Sequence, residues 1–224
     1  MKTKFIFCLL SFILFISCKP EVLDNERWVI QGKLTDTSGN SLEDIKLSSQ
    51  VGTYQLGKNF TDKEGDFKLT SLGTDRNHLK VMVNSGINLE DPERQKAWSS
   101  IVFHFEGIEN FKPNFELDDI QLYPAAVLNL KIQADSSSDE DLWFNVKYPS
   151  TIYHETISLE QNPDMGFEAD TGFSRTIKAG DSFEQEFYSL LNSEVILIYR
   201  IGNEVETQIT IPLNETENTY VLNY

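Results

Sequence analysis

Few residues in this chain could carry chemistry. Its three histidines are His78, His104 and His154, and no two of them stand at the spacing of a metal-ligating pair. The H-E-x-x-H and G-x-S-x-G patterns, phosphate-binding loops and dinucleotide fingerprints are all missing. The only cysteines, Cys8 and Cys18, lie at the N-terminus, so the rest of the chain has no thiol nucleophile, disulfide or thiolate metal ligand. Carboxylates are abundant, 35 in all. A glycosidase needs two of them ~5–10 Å apart across a cleft, but sequence order singles out no pair. Asp62, Glu64 and Asp66 surround Gly65 in the manner of a calcium loop, yet an EF-hand needs glycine at the sixth position and glutamate at the twelfth. Counted from Asp62, Gly65 is fourth and the twelfth residue is Gly73, which reads as a hairpin tip. Asp135, Asp139, Glu140 and Asp141 read as a solvated loop rather than a hard-cation site. No catalytic residue, metal ligand or cofactor is therefore expected.

Aromatic rings are the remaining candidates for ligand contact. Trp98 lies in a charged stretch where a core role is less natural, while Trp143, Tyr148 and Tyr153 cluster near a strand end. Such rings stack on sugar faces or anchor a protein partner when exposed, and otherwise pack into a core.

The elements that would position these residues are strands. From Trp28 to Asn84, short apolar runs of period two alternate with turn residues. The inward sets are Ile30, Gly32 and Leu34, then Leu42, Ile45 and Leu47, then Phe67 and Leu69, then Leu79, Val81 and Val83. Lys80 and Met82 fall on the opposite face, as do Val102 and His104 in the later Ile101–Phe103–Phe105 alternation. Gly32, on an inward face, predicts close approach by another backbone or a large side chain. Asp36–Asn40 and Lys63–Asp66 read as turns, with Gly39 and Gly65 taking the left-handed positions.

The ordered set Ile30, Gly32, Leu34, Asp36, Gly39 and Leu42, followed by Thr61, Asp62, Gly65, Phe67 and Leu69 and then Leu79 and Val81, resembles the carboxypeptidase regulatory-like domain. The likeness runs from Trp28 to about Pro124. It implies a prealbumin-like or immunoglobulin-like β-sandwich with no active site of its own. The charged insert Asn88–Ser100 departs from that pattern and is a candidate functional loop.

Beyond Tyr123-Pro124-Ala125-Ala126, the best boundary, more strand signals follow. They include Val127–Ile132, Trp143–Tyr148, Phe173–Ile177 and the very apolar Val195–Ile201. Asn162–Gly166 and Lys178–Asp181 read as turns, and Phe183–Leu191 as a strand or one short helix. The expected fold is all-β, with two tandem Ig-like or prealbumin-like sandwiches over 28–124 and 125–224.

Ahead of them stands an address. Met1–Lys4 is basic and Phe5–Ser17 is an apolar run of 13 residues, shorter than the ~20 that span a bilayer. It reads as the apolar region of a signal peptide over 1–17. Phe15-Ile16-Ser17-Cys18 resembles a bacterial lipobox, with phenylalanine in place of the usual leucine. The resemblance implies cleavage before Cys18 and acyl chains on its sulfur, a membrane anchor at the end of a polar tether over 18–27. Lys19 is not the aspartate that retains enterobacterial lipoproteins at the inner membrane, which favours the outer one.

The net charge of −16 argues against nucleic acid as a partner and against unanchored attachment to an anionic bilayer. The expected function is a non-catalytic, lipid-anchored module of a bacterial envelope that binds or assembles with another protein. A carbohydrate-binding surface lipoprotein is the alternative and predicts exposed aromatics gathered in one patch. An envelope hydrolase ranks below both and predicts a pocket lined by acids or histidines with displaced pKa values.

Overall fold

A computed structural model describes residues 22–74, 79–86, 88–106, 114–135, 139–157, 165–167 and 171–224. The leader, Cys18, His78, the start of the expected 162–166 turn and part of the 135–141 loop lie outside them. The fold is all-β: every described element is a strand. The first half gives β1 (Val22–Asp36), β2 (Lys46–Val51), β3 (Tyr54–Phe60), β4 (Asp66–Thr74), β5 (Leu79–Val83), β6 (Ser100–Phe105), β7 (Asn114–Glu116) and β8 (Ile120–Leu122). The second half gives β9 (Ala125–Gln133), β10 (Leu142–Tyr148), β11 (Ile152–Ile157), β12 (Met165–Phe167), β13 (Thr171–Ile177), β14 (Ser182–Leu190), β15 (Glu194–Ile201), β16 (Thr207–Pro212) and β17 (Glu217–Asn223). Phe183–Leu190 is thus strand, and Gly166 belongs to β12 instead of a turn.

The long β1 is the spine of the first layer. One of its edges pairs antiparallel with β4, and the other pairs parallel with β7 at Val29–Gln31 and with β8 at Leu34–Asp36. The tether expected over 18–27 gives way to strand at Val22, because the end of β4 offers an edge: Val22 registers with Thr74 and Arg27 with Leu72. Both predicted turns close by the same device. The Asp36 carboxylate accepts from the Ser38 and Asn40 amides, and that of Asp62 accepts from Glu64 and Asp66. Asp62 Oδ1 therefore serves its own turn by accepting two backbone amides. Gly65 has φ +78°, and a Cβ there would lie 2.4 Å from the Leu34 carbonyl oxygen, so only glycine fits.

The facing layer is a six-stranded sheet in the order β12-β11-β6-β5-β2-β3. Its strand pairing crosses residue 124. β11 lies parallel to β6, from Ile152 beside Ser100 to Ile157 beside Phe105, and carries β12 with it. The first core accordingly joins the inward sets expected from alternation to Phe103 and Phe105, with Tyr153 and Ile157 packed against it. Each fully buried aliphatic or aromatic side chain there contributes roughly 1.5–3 kcal/mol.

A second core lies between the sheets β13-β10-β15-β16 and β14-β9-β17. Leu128, Leu130 and Ile132 of β9 and Leu142, Phe144 and Val146 of β10 are fully buried in it. Val195 and Leu197 join them from β15, as the apolar run there predicts.

Candidate functional site

Among the described residues the six-stranded sheet is wider than the layer facing it, and a groove lies where it overhangs. Register with Ile101, Phe103 and Phe105 puts Tyr153, Glu155 and Ile157 on the inward face of β11. All three are only half-buried. A cavity of about 390 Å³ opens over them. Its floor is Phe103, Phe105, Tyr153 and Ile157, and its wall is Phe115, Leu117 and Ile120 from the β7–β8 stretch. The ring of Phe115 lies 5.1 Å from that of Phe105, and Tyr153 meets Phe167 edge-on at 5.2 Å.

The rim is acidic, with Glu116, Asp118 and Asp119 on one side and Glu155 on the other. None of the four pairs with a lysine or arginine among the described residues. Burial, and then the nearby Asp118 carboxylate, push the Glu155 carboxyl above its ordinary pKa. Burial raises the Tyr153 hydroxyl as well, with Glu155 and Tyr123 adding to it. The ledge Leu117–Asp119 is seated by Gly32, where a Cβ would stand 2.7 Å from the Leu117 carbonyl oxygen and 3.1 Å from the Phe67 ring. Both kinds of close approach expected at this glycine are present. A second, more open hollow of about 760 Å³ shares Glu116–Asp119 and reaches Lys33 and Asp66.

On the outer face of the same sheet, the parallel pairing of β6 with β11 brings two histidines together that sequence order keeps apart. His104 Nε2 lies 2.9 Å from His154 Nδ1, and the rings stack at 5.2 Å. One must donate and the other accept, so the pair is held with one ring at least neutral. Burial lowers the pKa of His104, and Lys80 and His154 lower it further. Among the described residues no three His, Cys, Asp or Glu side chains are placed to hold a metal ion.

The insert is built around Asn84. Its amide nitrogen donates to the carbonyls of Gln95, Trp98 and Ser99, and its carbonyl accepts from the Gln95 amide. Folded over the outer face, the insert buries Met82 and Val102 with Ile152 and Leu89, so these outward apolar residues form a small core of their own. Burial disfavours the Lys46 ammonium, but Asp91 at 2.6 Å and Glu93 at 3.0 Å more than offset that and raise its pKa. The insert also reaches the second core's sheets. The Arg94 guanidinium sits 4.9 Å from the centre of the Tyr188 ring, and Lys96 pairs with Glu186 at 3.3 Å.

The aromatic candidates do not gather. Trp98 packs against the first core and bridges Pro124. Trp143 lies on the outward face of β10 with Arg200 5.8 Å from its ring centre. Tyr148 packs edge-on against Phe187 beside the second core at 5.4 Å, and only Tyr153 lines the groove. Glu155 is not among the residues that the sequence singles out. The signal that could have found it is a carboxylate two residues from Tyr153 and two from Ile157, on the same face of an otherwise apolar alternation.

No family model matches the chain, and no curated protein matches it. Among solved structures it is similar to the Bacillus anthracis TIE protein, at 12% identity and a TM-score of 0.32, over 89% of this chain and 34% of that one. It is also similar to the major pilin T-13 of Streptococcus pyogenes, at 9% identity and a TM-score of 0.30, over 92% and 98% of the two chains. A streptococcal ancillary pilin gives 11% and 0.29 over 90% and 63%. The chain thus spans about a third of the TIE protein's length. Likenesses of this size identify no relative, and the all-β class rests on the strands themselves.

Proposed function

We propose that the chain is a non-catalytic binding module of a bacterial envelope, anchored through lipid on Cys18 at the outer membrane, and that it docks another protein. The regulatory-like sandwich suggested by the Trp28–Pro124 residues would be its frame. The observation that carries the reading is the groove over β11, which is apolar at its floor and acidic at its rim. A concave apolar surface with a few convergent polar groups is the usual form of a binding site, and this one lies between rigid strands. The scattered placement of Trp98, Trp143, Tyr148 and Tyr153 favours a protein over a glycan.

The test is photo-cross-linking in intact cells from a reactive residue introduced at Gln121, which is exposed and lines the groove. One predominant protein adduct, lost when Tyr153 is changed to Ser, is expected. Recovery only on polysaccharide beads would overturn the reading in favour of glycan binding. Membrane partitioning that survives Cys18→Ala would remove the anchor. A hydrolase remains the second reading, because Glu155, with its carboxyl raised, faces Asp118 across the groove. It requires turnover of a nitrophenyl glycoside that Glu155→Gln abolishes.

A further inference from the structure

We infer that His104 and His154 form a two-imidazole site that takes a divalent transition-metal ion, copper(II) above all, and so ties β6 to β11. The site lies on the sheet face opposite the groove and is independent of the docking reading.

Parallel register builds the site. His154 stands beside Val102 and His104 beside Thr156, so the two rings come from diagonal neighbours on one face. His104 Nε2 and His154 Nδ1 lie 2.9 Å apart, and each of these nitrogens has only the other as a hydrogen-bond partner among the described residues. Both side chains are partly exposed. Water can therefore fill the coordination positions that the two rings leave open. The strands themselves hold the nitrogens close, so little ordering remains to be done when an ion arrives.

The spacing selects the ion. Metal–imidazole bonds of ~2.0–2.1 Å put two ligands at right angles about 2.9 Å apart, and two tetrahedral ligands about 3.3 Å apart. The observed 2.9 Å fits the tetragonal arrangement of copper(II) or nickel(II) better than the tetrahedral one of zinc. Copper(II) also heads the affinity order for nitrogen sites. Each ring must turn until its lone pair aims at a shared apex instead of at its neighbour, and the broad χ2 torsion of histidine allows that. The ring that donates in the pair moves its proton to its other nitrogen, so two neutral imidazoles present two lone pairs with no net loss of protons. The nearby charge is mixed. Lys80 registers with His104 on β5 and opposes a cation, while Glu106, two residues on along β6, favours one. Calcium and magnesium seek oxygen ligands, which the pair does not offer.

The experiment uses the full chain, purified in detergent with Cys8 and Cys18 both changed to Ser so that no thiol competes for copper or reduces it. One equivalent of copper(II) is added, and pulsed electron paramagnetic resonance counts the imidazoles on the ion. Two are expected. His104→Gln and His154→Gln should each leave at most one, and should weaken copper binding by more than the ~10-fold that loss of a supporting outer group costs. Competition with a fluorescent copper chelator reads that change. Copper should also raise the urea midpoint of the parent protein and of neither variant, because the ion joins two strands that unfolding separates. Bound copper that carries no imidazole, or a single one, in the parent protein overturns the proposal, whether or not the variants fold. Two-imidazole coordination that persists in either variant overturns it too, because His78 would then be a ligand. Displacement of the copper by excess magnesium would assign the ion to carboxylates, with the same consequence.

Discussion

The inward faces of β10 and β11 begin from similar alternation and end differently. Leu142, Phe144 and Val146 on β10 are fully buried, because the β9 sheet covers them with Leu128, Leu130 and Ile132. Tyr153, Glu155 and Ile157 on β11 are half-buried, and among the described residues the β1 layer facing them extends to β7 and β8. Matching sheet widths go with a closed core, and a mismatch of one or two strands among the described residues goes with a groove. The closed site admits only apolar residues of the right volume. The open one tolerates a carboxylate, and that tolerance is what a binding surface requires.

The largest effect that could sharpen this contrast is a pair of truncations. Phe144→Ala should cost ~3–5 kcal/mol of folding stability in a denaturant titration, and Tyr153→Ala no more than ~1 kcal/mol. Equal costs would mean that β11 is as well covered as β10. Next, Gly32→Val should cost roughly 1–3 kcal/mol and weaken the cross-link from Gln121, because the new side chain pushes the Leu117–Asp119 ledge outward. Normal cross-linking by a folded Gly32→Val protein would show that the ledge is not a wall of the site. Glu155→Leu should raise stability by less than ~1 kcal/mol while binding falls, since it replaces an ill-solvated charge with an apolar group. A loss of stability would reveal a structural partner for Glu155.

The smallest effect is a pH dependence at the β6–β11 junction. His104, facing Lys80, His154 and Glu106, has its pKa lowered below 6.5 by burial and then by Lys80 and His154, with Glu106 opposing. The unfolded chain then takes up the proton first, so stability falls as pH drops through about 6.5. Between pH 7.5 and 5.5 the wild type should lose more stability than His104→Gln, by less than ~1 kcal/mol given its partial exposure. Glu155 acts in the opposite sense, because its raised pKa penalises the fold at neutral pH and relaxes toward acid. The comparison is therefore cleanest in a Glu155→Gln background.

Much of the frame was legible in the sequence. The inward sets from Ile30 to Val83 followed from period two, and the turns at Asp36 and Asp62 from local side-chain chemistry. Gly32 was found by its missing side chain, although its neighbour, the Leu117 carbonyl, lies 85 residues on in the chain and could not be named. The groove was not legible, because it depends on which strands sit beside one another. Nothing in residues 152–157 says that they pair with β6 instead of with the strands nearest in sequence. For the same reason His104 and His154 gave no sign of meeting. Trp98, Trp143, Tyr148 and Tyr153 were chosen by ring type alone, and three of the four face elsewhere.

The parallel seam between β6 and β11 also sets the timetable of folding. His104 and His154, which meet across it, are 50 residues apart in the chain. Until that pairing forms, β6 presents open hydrogen-bonding groups and the rings of Phe103 and Phe105 to other chains, so a folding intermediate that lacks β11 should be the form most prone to aggregation.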